Sequence, residues 1–216
     1  MLANPEAERA RRQVVRMCGS GLDAPSLLRG VAGIVAGLVG YDGAFWATTD
    51  PATLLITGAH VEALPAESAA PFYENEYLHD DVNKFSQLAR RIRPVATLSE
   101  ATGGELSRGR IHREVGRHFG FLGDNLKAAF MAGPSCWGVA ALVRRDPGSF
   151  FDQADLSFMA SIGSHVGEGL RAAVLLDAMA SPASESGPGL LLLDDADQVT
   201  ATSAAAQEWL EELSGD

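Results

Sequence analysis

The stretch Asp124–Arg145, DNLKAAFMAGPSCWGVAALVRR, decides the fold. Two apolar runs of strand length flank Gly133-Pro134, a pair suited to a tight turn, so the segment predicts a β-hairpin and an antiparallel sheet. On its C-terminal side a helix is expected to start at Asp152, whose carboxylate can cap it with Asp155 three residues on. Met159, Ile162, Val166, Leu170, Ala173 and Val174 recur at helical spacing and carry that helix to about Met179. On the N-terminal side, GAFWATTD (43–50) and TLLITGAHV (53–61) form a second hairpin around Asp50-Pro51-Ala52. Between the hairpins lie a mostly helical stretch from Glu67 to Pro94, a short strand in PVATLSE (94–100) and a helix in ELSRGRIHREVGRHFG closed by Gly120. Two helices, Leu2 to Met17 and Ser26 to Val39, precede everything else. Gly33 and Gly37 share a face of the second helix and are expected to let it pack tightly on the sheet. Strands do not alternate strictly with helices, so the class is α+β with an antiparallel sheet flanked by helices.

Composition narrows the function. Hydrophobic residues make up 46% of the 216 and charged residues 21%, as in an ordinary globular protein. The net charge of −11 is unevenly spread. Residues 177–216 hold nine acidic side chains and no Lys or Arg, which leaves residues 1–176 at about −2. Such a tail is repelled by phosphate, so the chain is not expected to grip nucleic acid by itself. The N-terminus lacks the apolar core of a signal peptide. GVAGIVAGLVG (30–40), the most membrane-like run, falls well short of the roughly 20 residues a spanning helix needs. Cys18 and Cys136 show no metal-ligand spacing and read as reduced thiols. A soluble, cytoplasmic protein with no membrane association is expected.

No catalytic constellation emerges. GPSCW (133–137) fails the G-x-S-x-G pattern because Trp137 holds its last position. Cys136 lies in an apolar strand, where a thiol is inert. His112 and His118 are six residues apart, about 240° around a helix, and cannot share a metal. His79-Asp80-Asp81 reads as a solvated helix start with a capping carboxylate; the competing reading is an acid–base or hard-metal cluster. Arg113 and Arg117 share a face with Glu105 and Glu114 near enough to pair. The expectation is a non-enzyme with no metal and no cofactor.

The aromatics carry more. They concentrate in the two hairpins and in the insertion that joins them, residues 66–118. If the insertion folds across one face of the sheet, it encloses an aromatic-walled hollow of the kind that holds small ligands. The candidate lining is Trp46, Tyr73, Tyr77, Asn83, Phe85 and Trp137, with Lys84 as a further polar group. Gly163 and Gly167 leave one side of the long helix flat, where a homodimer partner could approach.

The order of elements resembles a GAF domain. NEYLHDDVNKFSQLAR (75–90), RPVATLSEATGGELSRGRIHREV (93–115), the run from Ser135 to Leu176 and GLLLLDDADQVTATSAAAQEWL (189–210) resemble a family of regulators from high-GC bacteria. In that family a GAF-like sensory domain precedes a PAS-like segment and a LuxR-type helix-turn-helix. The resemblance implies a GAF-like sensory domain over residues 1–180, a linker over 181–189 and the opening of a PAS-like domain over 190–216. In the last, Leu190–Leu193 and Gln198–Thr202 form a hairpin and Ser203 caps a helix. It further implies a small-molecule or protein signal, passed through helix 152–179 to a DNA-binding domain that only a longer protein would carry. The alternative is a filled GAF fold acting only through dimerisation. Neither cysteine has the neighbouring His that would suit a covalently attached tetrapyrrole.

Overall fold

The computed structural model describes residues 4–180, 191–193, 199–202, 206, 207 and 209–211. They fall into two compact units that divide after Leu175. The first opens with helix α1 (Pro5–Cys18) and helix α2 (Ala24–Val39), each carrying a proline in its first turn. Asn4 caps α1 by accepting from the Glu6 amide at 3.0 Å, and Asp23 caps α2 through the Ser26 amide at 2.7 Å. Both caps satisfy amides that have no partner within the helix.

Five antiparallel strands follow: β1 (Gly43–Thr49), β2 (Ile56–Glu62), β3 (Val95–Thr97), β4 (Asn125–Ala132) and β5 (Ser135–Val143). Their spatial order is β2-β1-β5-β4-β3. The hairpin read first from the sequence is thus β4–β5, and β5 becomes the central strand. Every residue of β1 is buried, so both faces of the sheet are covered.

One face is closed by α1, α2 and a long helix α6 (Gln153–Ala180). Asp152 caps α6 as expected, accepting from the amides of Ala154 and Asp155. Val31, Val35, Leu126, Phe130, Ile162 and Leu170 fill this interface, with Trp46 stacked on Phe130 at 5.9 Å. Backbone contact is close. A Cβ on Gly167 would stand 2.4 Å from the carbonyl oxygen of Met131, where β4 bulges, and one on Gly138 would stand 2.4 Å from Leu170. Gly167 is therefore spent on packing within the chain, and it does not offer the flat outer surface expected of it. The expectation for Gly33 and Gly37 also fails. Both point to solvent and meet nothing within 4 Å, because Val31 and Val35 turn the other side of α2 to the sheet.

The opposite face is crossed by the insertion. A 3₁₀ turn (Ala66–Ser68) leads into α3 (Ala69–Leu78), then α4 (Phe85–Leu88), β3, α5 (Leu98–Thr102) and a second 3₁₀ turn (Leu106–Arg108). The helix expected from Glu105 to Gly120 is replaced by this turn and by a π-helical turn, Ile111–Gly116. The Arg117 amide there donates to the His112 carbonyl, one residue further back than in an α-helix. Asp81 joins the two halves of the insertion. Its oxygens accept from Asn75 Nδ2 and from the amides of Val82, Arg110 and Ile111. A carboxylate offers about four acceptor sites, so Asp81 has none left for a metal or a reactant.

The insertion is pinned to the sheet by charge. Lys127 on β4 meets Glu76 on α3 at 2.7 Å, and each side chain is only 3% exposed. The second Glu76 oxygen accepts from the Phe85 amide, and the Lys127 ammonium lies 4.8 Å from the centre of the Phe85 ring and 5.5 Å from that of Phe72.

In the second unit β6 (Leu191–Leu193) pairs antiparallel with β7 (Val199–Thr202), and residues 206–207 and 209–211 are helical. The linker 181–189, the turn 194–197 and the Ser203 cap lie outside the described residues. Among those described, no helix is long and apolar enough to cross a membrane.

Candidate functional site

The insertion does not fill the space it covers. Between it and the sheet lies a cavity of about 380 Å³, within the usual range for small-ligand sites. Its floor is the sheet: Phe45 of β1, Val61 of β2, Asn125 of β4, and Ala141 and Val143 of β5. Leu64 to Phe72 and Tyr73 form one wall. Ile111 to Phe119, with Phe121, form the other. Strand alternation sends one residue in two to each face, which is why Phe45 and Ala141 reach the cavity while Trp46 and Ala140 face α6.

Polar groups are few. Asp124 is fully buried, and its oxygens accept from the amides of Ser99, Asn125 and Phe151 and from the Ser99 hydroxyl. Ser68 donates to the Pro65 carbonyl. The His112 ring and the Asn125 carboxamide make no side-chain hydrogen bond among the described residues. Partial burial pulls the His112 pKa below its ordinary value; the nearby Arg117 adds to the effect and Asp124 opposes it. The ring is therefore neutral at neutral pH.

Of the six residues expected to line a site, only Tyr73 borders this cavity. Phe85 packs just beneath it, edge-on to Phe72 with ring centres 6.4 Å apart. Tyr77 stacks on Tyr73 at 6.3 Å, and its hydroxyl receives the Ile56 amide. Asn83 is buried and donates to the Thr97 carbonyl, taking a left-handed backbone with φ of 55° that breaks the helical stretch. Trp46 and Trp137 belong to the opposite, helix-covered face. Lys84 donates to the His79 carbonyl. Among the lining residues the expectation missed are Phe45, His112, Phe121 and Asn125. A signal for His112 did exist: Ile111 and Val115 are an apolar pair four residues apart, which turns that side of the segment inward.

The remaining candidates do not border the cavity. Cys136 is buried and donates to the Gly138 carbonyl, and burial pushes its thiol pKa up. Burial likewise pushes Cys18 up to about 11. Arg113 donates to the carbonyls of Ser107 and Arg108, and Glu105 pairs with Arg108 instead. Among the described residues no cluster of His, Cys, Asp and Glu is arranged to hold a metal ion.

No family model matches the chain, and no curated protein matches it. Solved structures do. The GAF domain of the Acinetobacter phosphoenolpyruvate-protein phosphotransferase superposes with a TM-score of 0.54 at 15% identity, over 81% of this chain and 98% of that one. The fold is that of a GAF domain. A second GAF domain, from the phosphotransferase of Coxiella burnetii, gives 0.56 at 11% identity over 80% and 97%. CepR2 of Burkholderia cenocepacia, an N-acylhomoserine lactone dependent LuxR-family transcription factor, gives 0.54 at 14% over 82% and 99%. The GAF fold, which is also found in sensory proteins, is what these likenesses establish for this chain.

Proposed function

We propose that this protein is the non-catalytic sensory part of a LuxR-type transcriptional regulator and that a small molecule occupies the cavity between the sheet and the insertion. One observation carries the reading. The insertion is tied down by Asp81 and by the Lys127–Glu76 pair, which meet at neighbouring residues of α3, Asn75 and Glu76, yet it leaves an apolar chamber open beside them. A merely structural layer would be expected to close such a space, since interiors pack densely. The likeness to CepR2 and the sequence resemblance to high-GC regulators support the regulatory context.

The route for the signal is the sheet itself. Ala141 and Val143 of β5 touch the cavity, whereas Gly138 and Leu142 on the other face of the same strand meet α6 and its surroundings. A ligand switches such a device only through different affinity for two arrangements. The contacts of Gly138 with Leu170 and of Gly167 with Met131 are close enough for a shift of β5 or β4 to displace α6. In this proposal α6 leads through residues 181–189 to a PAS-like segment, and DNA is bound only by a helix-turn-helix of a longer protein. Leu175, exposed on α6, supports a homodimer along the far end of that helix.

Native mass spectrometry of the purified protein tests the ligand. The wild type is expected to carry a small molecule that the cavity-filling Ala141→Leu variant, folded by circular dichroism, does not. Equal occupancy in the two proteins would refute the site.

A further inference from the structure

We infer that the cavity selects uncharged ligands: molecules with an apolar body and one neutral hydrogen-bonding head, an amide, ester, ketone or alcohol, held by His112 and Asn125. The inference rests on the cavity reading above and adds the chemical class.

Charge decides it from both sides. An anion would enter beside the fully buried Asp124 carboxylate. Among the described residues, none of those lining the cavity is Lys or Arg, and the buried Lys127 ammonium beside Phe72 is already paired with Glu76. Burying an unpaired charge is far more costly than burying a hydrogen-bonded neutral group. Arg117 and Arg145 are exposed, where water screens them.

A cation fares no better, although aromatic walls beside a carboxylate suit one at first sight. The four acceptor sites of Asp124 are already filled by Ser99, Asn125 and Phe151. The aromatic walls are already engaged: Lys127 lies 5.5 Å from the centre of Phe72, and the Arg145 guanidinium lies 4.5 Å from that of Phe121. Both charges are muted, Lys127 by Glu76 and Arg145 by water, but the ring faces they cover are not free for a second cation.

A neutral head has partners. The Asn125 carboxamide both donates and accepts, and a neutral imidazole offers one of each. Neither side chain has a hydrogen bond of its own among the described residues. His112 and Asn125 both line the chamber, whose walls are otherwise mostly apolar.

The test uses three eight-carbon probes that differ only in the head: octanamide, octanoate and octylamine, titrated calorimetrically into the full chain at pH 7.5. Octanamide is expected to bind at least tenfold more tightly than either charged probe, and His112→Leu or Asn125→Leu to weaken it about tenfold while leaving the far-ultraviolet spectrum unchanged. Equal or tighter binding of octanoate or octylamine, abolished by Ala141→Leu, would overturn the charge rule and leave the cavity standing as a ligand site. If no probe binds, the inference falls. Whether the cavity reading falls with it is read separately, from the molecule retained in the mass spectrum of the wild type.

Discussion

The two faces of the sheet are built on opposite plans. The helix face is closed, with Trp46 and Phe130 stacked and with α6 pressed so near that Gly138 and Gly167 have no room for a methyl group. The insertion face is held by polar anchors, Asp81 and Lys127–Glu76, beside an unfilled chamber. The lesson is a division of labour within one sheet. One face supplies rigidity through contact, and the other supplies room through a few strong ties gathered at Asn75 and Glu76 of α3.

The largest effect should come from breaking the strongest tie. Lys127→Met leaves Glu76 as an unpaired buried carboxylate and is expected to cost about 3–5 kcal/mol in urea unfolding. Adding Glu76→Gln removes that charge while keeping an acceptor for the Phe85 amide, and should restore most of the loss. If the double variant is no more stable than the single one, the ion pair is not what pins the insertion.

Next comes a matched pair of enlargements, one on each face. Gly167→Ala drives a methyl into the Met131 backbone and is expected to cost about 1–3 kcal/mol, the usual range for overpacking. Ala141→Leu adds three carbons to an open chamber and should stay within about 1 kcal/mol of wild type, below that range. Reversal of this order would mean that the chamber is not open.

The smallest effect concerns pH. The folded state holds His112 below its unfolded pKa of about 6.5, so the unfolded chain binds the proton first. Stability is therefore lost as pH falls from about 6.5 through the folded value, with Arg117 reinforcing the loss and Asp124 opposing it. His112→Leu should remove that share, so the drop in urea midpoint between pH 7.5 and 5.5 should be smaller in the variant. An identical drop would place the ring in water rather than against the chamber.

The elements of the sheet could be read from the chain because their signals are local. Gly133-Pro134 marks the β4–β5 turn, Asp152 and Asp155 mark the start of α6, and Asp50-Pro51-Ala52 marks the turn after β1. The site was harder, because strand alternation says that Phe45 and Trp46 face opposite ways but not which face carries the chamber. That choice depends on where α2 and α6 pack, a long-range outcome. Trp46 and Trp137 were accordingly assigned to the wrong side. The irregular course from Glu105 to Gly120 was hidden for a related reason: a helical pattern of apolar residues does not distinguish an α-helix from a 3₁₀ turn followed by a π-turn.

The most direct test of the division between the faces is a methyl-resolved NMR titration with octanamide. The account predicts shifts for Val61, Leu64, Ile111, Val115 and Val143 around the chamber, with Val31, Val35, Ile162 and Leu170 on the helix face unmoved. Shifts centred on the helix-face methyls, or no saturable shift at any of the nine, would contradict it.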